Sequence, residues 1–237
     1  MNSSTAKIFK NAEQALHDVF DGASIMSGGF GLCGNAENCI QELYRRGTRE
    51  LTIISNNCGN AGQGLAVLLK KRQVARVIGS FIGGNQDLQE QMFAGDVEVE
   101  LTPQGTMTER IRAGGAGLGG FYTPTGVGTV VAEGKEERVF NGKRYILEDP
   151  LTADFAIIRA HQGDPAGNLR FYGTARNFSP LMAMAAKTTI VEVDELVELG
   201  ALGPSDIHLP GIFVQRIFQG KDYQDPIEYR TTRPRPE

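Results

Sequence analysis

The chain has 237 residues, a net charge of −4 and 30 glycines. That length suffices for one large or two small domains whose core needs neither disulfide nor metal, and its acidic balance excludes the clustered basic surface that nucleic acid requires. No run reaches the ~18 apolar residues of a membrane helix. The first residues lack the apolar segment of a secretory signal, and Cys33, Cys39 and Cys58 have no paired spacing, which suits a reducing cytoplasm and no zinc site.

Asn11-Ala12-Glu13-Gln14 has the form of a capping box and predicts a helix to Phe20. Asp21-Gly22 reads as a turn and Ser24-Ile25-Met26 as a short strand. A glycine-rich loop follows, Ser27-Gly28-Gly29-Phe30-Gly31-Leu32-Cys33-Gly34-Asn35, then a helix over Ala36 to Arg45. Leu51 to Ser55, Val74 to Gly79 and Val97 to Leu101 read as strands, the last alternating and so wet on one face. Gln63 to Lys71 and Gln86 to Phe93 read as the helices between them, and Lys70-Lys71-Arg72 as a terminus matched to its helix dipole. Thr106-Met107-Thr108-Glu109 reads as a second capping box, opening a helix to about Ala113.

A second glycine-rich run extends from Gly114 to Thr129. Asn141-Gly142, between alternating residues 137–140 and 143–147, signals a β-hairpin. Phe155 to Ile158 and Thr189 to Val193 resume the buried-strand pattern, and Pro180 to Ala186 carries Met182 and Met184 as core. The proline-rich end, Arg230 to Glu237, reads as disordered. This order predicts an α/β fold: an open, mostly parallel sheet with helices on both faces and an added hairpin.

Gly29-Phe30-Gly31-Leu32-Cys33-Gly34 matches the dinucleotide-binding pattern G-x-G-x-x-G between a strand and a helix. The next strand should then end in an acid for the ribose hydroxyls. Here it ends Ser55-Asn56-Asn57-Cys58, so the dinucleotide reading fails.

These segments resemble the A subunit of family I CoA-transferases, of the succinyl-CoA:3-oxoacid type. The resemblance rests on Gly28 to Gly34, Ser55-Asn56-Asn57, Leu101-Thr102-Pro103-Gln104-Gly105-Thr106, Glu109 to Gly117, Phe121 to Gly126, Ala175-Arg176-Asn177-Phe178 and Asp206 to Ile212. It implies one domain over residues 1–220, followed by a tail over 221–237. It also implies a cytoplasmic heterodimer or heterotetramer with a B subunit. That partner would supply a nucleophilic glutamate in a Glu-Asn-Gly type motif, which is missing here: Glu37-Asn38 is followed by Cys39 in a predicted first helical turn. The expected substrates are an acyl-CoA and a carboxylate, with succinyl-CoA and acetoacetate as the pair. No cofactor or metal is implied, because the CoA thioester is itself the substrate.

By the same resemblance Gly28, Gly29, Phe30, Gly31, Leu32, Cys33 and Gly34 form the CoA loop; the plain alternative is a tight turn with Phe30 packed beneath it. Cys33 reads as a small buried residue rather than a nucleophile. Asn56 ends the second strand, at the sheet edge where ligands gather, and is assigned to substrate; the alternative is an Asx turn. Gln104 matches a glutamine that touches the 3-oxoacid, against a turn residue ahead of the Thr106 cap. Asn85, read as ending the third strand, is a weaker candidate of the same kind. Tyr122 to Thr125 reads as interface backbone, and Arg110 and Arg112 as surface or interface ion pairs, the alternative being a carboxylate or a CoA phosphate. Asn35-Ala36, Gly84 and Gly119 depart from the family's usual proline, acid and proline. A non-catalytic small-metabolite or acyl-CoA sensor or scaffold protein on the same fold is the alternative function.

Overall fold

The computed structural model describes residues 7–60 and 62–225; the expected disorder of 230–237 lies outside them. A short helix, α1 (Ala12–Ala15), precedes four strand–helix steps: β1 (Ser24–Ser27) to α2 (Glu37–Arg46), β2 (Leu51–Ser55) to α3 (Ala66–Lys70), β3 (Val74–Gly79) to α4 (Gln86–Ala94), and β4 (Glu98–Leu101) to α5 (Gln104–Ala116). Three short strands follow, β5 (Phe121–Thr123), β6 (Glu137–Phe140) and β7 (Lys143–Glu148). The chain then returns through β8 (Ala153–Gly163), β9 (Leu169–Arg170), α6 (Ser179–Ala185), β10 (Ala186–Leu196) and β11 (Arg216–Gln219). The main sheet runs β11-β10-β8-β1-β2-β3-β4, all parallel, with β9 pairing antiparallel to the end of β8.

Alternation along the strands gives the sheet two apolar faces, and a further cluster gathers Ile158, Val191, Val193, Leu209 and Ile217. Ile25, Ile53, Val77, Phe155, Ile157 and Ile190 face α1 to α4, where they meet Leu16, Ile40, Leu43, Leu68 and Leu88. Their neighbours Met26, Ile54, Ile78 and Ala156 face α5 and α6, where they meet Met107, Ile111 and Met182. Each such Leu or Ile contributes roughly 1.5–3 kcal/mol on burial. Because both faces are covered, the strands read as near-continuous apolar runs. Among the described residues no helix is long and apolar enough to cross a membrane.

Several elements depart from the sequence reading. The first helix stops at Ala15, not Phe20, because Arg216 on β11 donates to the Ala15 carbonyl at 2.7 Å and binds Asp18. Asn11 does cap it, accepting the Gln14 N–H at 3.0 Å. Helix α3 begins at Ala66, since Gln63 is used in a turn that closes on the Asn60 carbonyl. Helix α5 begins at Gln104 behind Pro103, so Thr106 is a buried residue of its first turn and not a cap. It continues through Gly114 and Gly115, where other segments pack close against it: a Cβ at Gly114 would lie 2.0 Å from the Leu151 carbonyl oxygen and one at Gly115 3.0 Å from Met184.

The expected hairpin is the β6–β7 pair, turning at Asn141 (φ +50°) and Gly142 (φ +77°) as a two-residue loop requires. It is larger than expected, because Phe121–Thr123 adds a third antiparallel strand in the order β5-β7-β6. Tyr122 lies in that strand, stacked edge-on to Phe140. Arg110 is not a surface residue. Its largely buried guanidinium pairs with Glu100 and donates to the Asp149 carbonyl at 2.8 Å, tying α5 to the end of β4 and to the segment entering β8. Arg112 does form the expected surface pair, with Glu109.

Candidate active site

All seven parallel strands point the same way, so the segments leaving β1, β2, β3 and β4 emerge at one carboxyl edge. The loop after β1 stands where the strand order reverses, between β1 and β8, the place where open α/β sheets bind ligands.

That loop is a small built object. Phe30 and Cys33 exchange two backbone hydrogen bonds of 3.0 Å across Gly31-Leu32, with Gly31 at φ +58°. Gly28 donates to the Ile157 carbonyl, and Gly29 donates to the Asn177 side-chain oxygen at 3.0 Å. Gly29, at φ +126°, has no room for a side chain: a Cβ would sit 1.9 Å from Asn35 Oδ1. Four of the loop's N–H groups are thus bonded within the protein and are not aimed at a ligand, contrary to a simple anion-nest reading.

Two side chains differ from expectation. Phe30 is half exposed and stacks on Phe178, with ring centroids 6.5 Å apart. Cys33 is exposed, not buried, because the tight hairpin turns it outward. Cys33 and Gly34 line a cleft of about 400 Å³ with Leu32, Arg159, His161 and Asp194.

Asn56, just past β2, is buried. Its amide donates to Ser80 Oγ at 2.9 Å and to Gln104 Oε1 at 3.2 Å. The structure therefore joins two of the substrate candidates, 48 residues apart, in one carboxamide pair. Gln104 is exposed at the first position of α5. With its oxygen taken by Asn56, its Nε2 donors have no partner among the described residues and face outward, neutral, from the sheet edge. The nearby charges cancel. Burial opposes ionisation of Glu100, but Arg110 and Arg76 outweigh it and hold this carboxyl below the usual range.

Asn85 is not with this pair. It does not end β3, which stops at Gly79. Instead it caps α4, accepting the Leu88 N–H at 3.0 Å, while its amide holds the Cys58 and Gly59 carbonyls at 2.7 and 3.2 Å. Burial with every polar group committed makes it a support for the loop after β2. The sequence reading missed Ser80 and Asn177. Asn177 fixes Gly29 from 148 residues away, at a φ of +25° and a ψ of −121° that lie outside the regions ordinarily open to a side chain. Only its place in the segment Ala175 to Phe178 marked it.

The model of the coenzyme A transferase family matches residues 9–220. The chain belongs to that family. The A subunit of succinyl-CoA:3-ketoacid coenzyme A transferase from Helicobacter pylori (strain J99 / ATCC 700824) is 51% identical over 227 residues, covering 96% of this chain and 98% of the relative. The A subunit of 3-oxoadipate CoA-transferase from Pseudomonas putida is 50% identical over 213 residues, covering 89% and 92%. A solved acyl-CoA transferase from Escherichia coli O157:H7, in a thioester complex with CoA, has a TM-score of 0.82 at 21% identity over 93% of this chain and 48% of its own. That likeness shows the shared fold. This protein is a CoA-transferase A subunit, and the α/β architecture read from its sequence is the architecture of the family. In this CoA-transferase chain the same edge exposes Phe30, Phe81 and Leu101, following or ending β1, β3 and β4.

Proposed function

We propose that this chain, assembled with a B subunit, moves CoA from succinyl-CoA to acetoacetate by ping-pong covalent catalysis. The partner's glutamate oxygen attacks the thioester carbonyl carbon and CoA leaves as its thiolate. The thiolate then attacks the glutamyl carbonyl of the resulting anhydride, releasing succinate and leaving a glutamyl-CoA thioester. Acetoacetate repeats both steps in reverse, so CoA departs on the acceptor and the glutamate is restored.

The observation that carries this reading is the Asn56–Gln104 pair at the carboxyl edge. It offers fixed, neutral N–H donors, which suit a carbonyl oxygen that gains charge as the thioester is attacked. The donors add no positive charge, which favours a 3-oxoacid with one carboxylate over one with two. The loop from Gly28 to Gly34 provides close backbone approach for the CoA arm, with Cys33 and Gly34 beside the cleft. Exposed Phe30, Phe81 and Leu101 support a partner covering this face, and three cysteines free of disulfides are consistent with a cytoplasmic enzyme.

The test is initial-rate kinetics of the assembled two-subunit enzyme with succinyl-CoA varied against acetoacetate or 3-oxoadipate. Parallel double-reciprocal lines and a higher kcat/KM for acetoacetate are expected. Intersecting lines would reject the covalent relay, and preference for 3-oxoadipate would reject the acceptor.

A further inference from the structure

Glu192 stands in the middle of β10, an interior strand between β8 and β11, with buried Val191 and Val193 on either side. It is 0% exposed. A carboxyl group in such a place is costly to desolvate, and an apolar residue would serve the sheet better. Its neighbours explain what it does. Glu192 Oε2 accepts the backbone N–H of Cys39 at 2.9 Å, the Asn38 N–H also favours its charged form, and Oε1 is buried with no hydrogen-bond partner among the described residues. Those N–H groups belong to the first turn of α2, whose donors have no partners within the helix.

Helix α2 needs such a partner. Its N-cap residue is Ala36, which makes no side-chain cap. The rest of the first turn is also held from outside. Glu37 pairs with Arg159 at 3.4 Å and accepts the Gln224 N–H at 2.9 Å. Asn38 exchanges hydrogen bonds of 2.8 and 2.9 Å with Lys221. Of these anchors Glu192 alone is fully buried and comes from the central sheet. Two residues before Ala36 the glycine loop ends, and Asn35, between them, is the side chain against which Gly29 closes.

We propose that Glu192 is a positioning residue for the transferase reaction: from β10 it caps α2 across the fold and thereby fixes the glycine loop that α2 carries. The proposal rests on the reading of that loop as the approach surface for CoA. Glu192 touches no substrate and acts only through the helix start.

The test uses the assembled two-subunit enzyme, with hydrogen exchange of residues 28–40 measured beside kinetics and Tm. In the unmodified enzyme the Cys39 amide should exchange at least tenfold more slowly than an unbonded first-turn amide; equal rates would overturn the cap. Glu192→Leu should speed exchange at Asn38, Cys39 and the loop, and raise KM for succinyl-CoA about tenfold, the cost of one hydrogen bond. Its kcat should hold. Glu192→Gln keeps a carbonyl acceptor and should restore KM, and Ala36→Ser in the Glu192→Leu background should restore it in part by supplying a local cap. Unchanged exchange in Glu192→Leu would refute the cap itself. Faster exchange with an unchanged KM would refute the loop's role in CoA approach, and the positioning claim with it.

Discussion

The two glycine-rich runs look alike in sequence and do different work. In the first, Gly29 is forced by a side chain: Asn35 occupies the space a Cβ would need, and Asn177 takes its N–H. The result is a fixed hairpin at the sheet's carboxyl edge, beside a cleft. In the second, Gly114 is forced by backbone, the Leu151 carbonyl, inside a helix. Beyond it Gly119 meets nothing, and the chain opens into a small exposed sheet. Close approach to a ligand and close approach to another segment of backbone leave the same mark in sequence, and only the fold separates them.

That contrast can be broken by substitution. Gly114→Ala forces a Cβ into a carbonyl and should destabilise the fold by about 3 kcal/mol, as overpacking does, with kcat and KM of the assembled enzyme unchanged; a urea titration beside steady-state kinetics checks both. Gly29→Ala should do the reverse, lowering kcat/KM about 100-fold through a displaced loop with a smaller change in urea midpoint. If the two substitutions trade outcomes, the roles assigned to the two runs are wrong.

The support beneath the first loop carries a pH signature. Burial is the main force on Glu192 and pushes its carboxyl up from 4.5 to about 7, against the pull of the Cys39 and Asn38 N–H groups and of Arg159. Asp194 and Tyr223 pack against the same arginine. The folded state thus favours the protonated acid. Its stabilising contribution is complete below pH 4.5 and is lost as pH rises through 7. The unmodified chain should therefore lose roughly 2 kcal/mol more stability between pH 5 and 8 than Glu192→Gln does, read from urea midpoints across that range. Equal pH slopes would contradict the buried-acid description.

Smaller effects are expected at Gln104 and Gly119. Gln104→Ala should lower kcat about tenfold, the loss of one neutral donor to a developing oxyanion, and leave Tm unchanged, since its exposed amide supports only Asn56. Unchanged turnover would remove Gln104 from the site. Gly119→Ala should be silent in activity and gain about 0.5 kcal/mol of stability by restricting the unfolded chain; a loss in either would show that the second run shares the role of the first.

Much of this is legible in the sequence. Leu51–Ser55 and Val74–Gly79 match their predicted strands residue for residue, because buried parallel strands are written as near-continuous apolar runs. Asn141-Gly142 marks its turn, since few other pairs adopt two successive positive φ values. What stays hidden is tertiary. Arg216, 201 residues away, ends α1 by taking the Ala15 carbonyl. Arg110 reads as a surface cation and is the buried tie between β4 and the start of β8. Asn56 and Gln104 can each be placed at a strand end, but their mutual bond depends on where α5 begins. Asn85 carries the same sequence signal as Asn56 and is fully committed to capping and loop carbonyls. Glu192, an acid in an apolar strand pattern, is the one anomaly that a pattern of buried strands leaves visible and unexplained.

On the proposed function, the first glycine loop and the Asn56–Gln104 pair form one acyl-CoA site that the B subunit completes. A crystal structure of the assembled enzyme trapped with CoA tests it most directly. The CoA arm is expected against residues 28–34, with its thioester end within hydrogen-bond reach, about 3 Å, of Gln104 Nε2. CoA bound instead on the three-stranded sheet, or at the carboxyl edge with Gln104 turned away from it, would rule that site out.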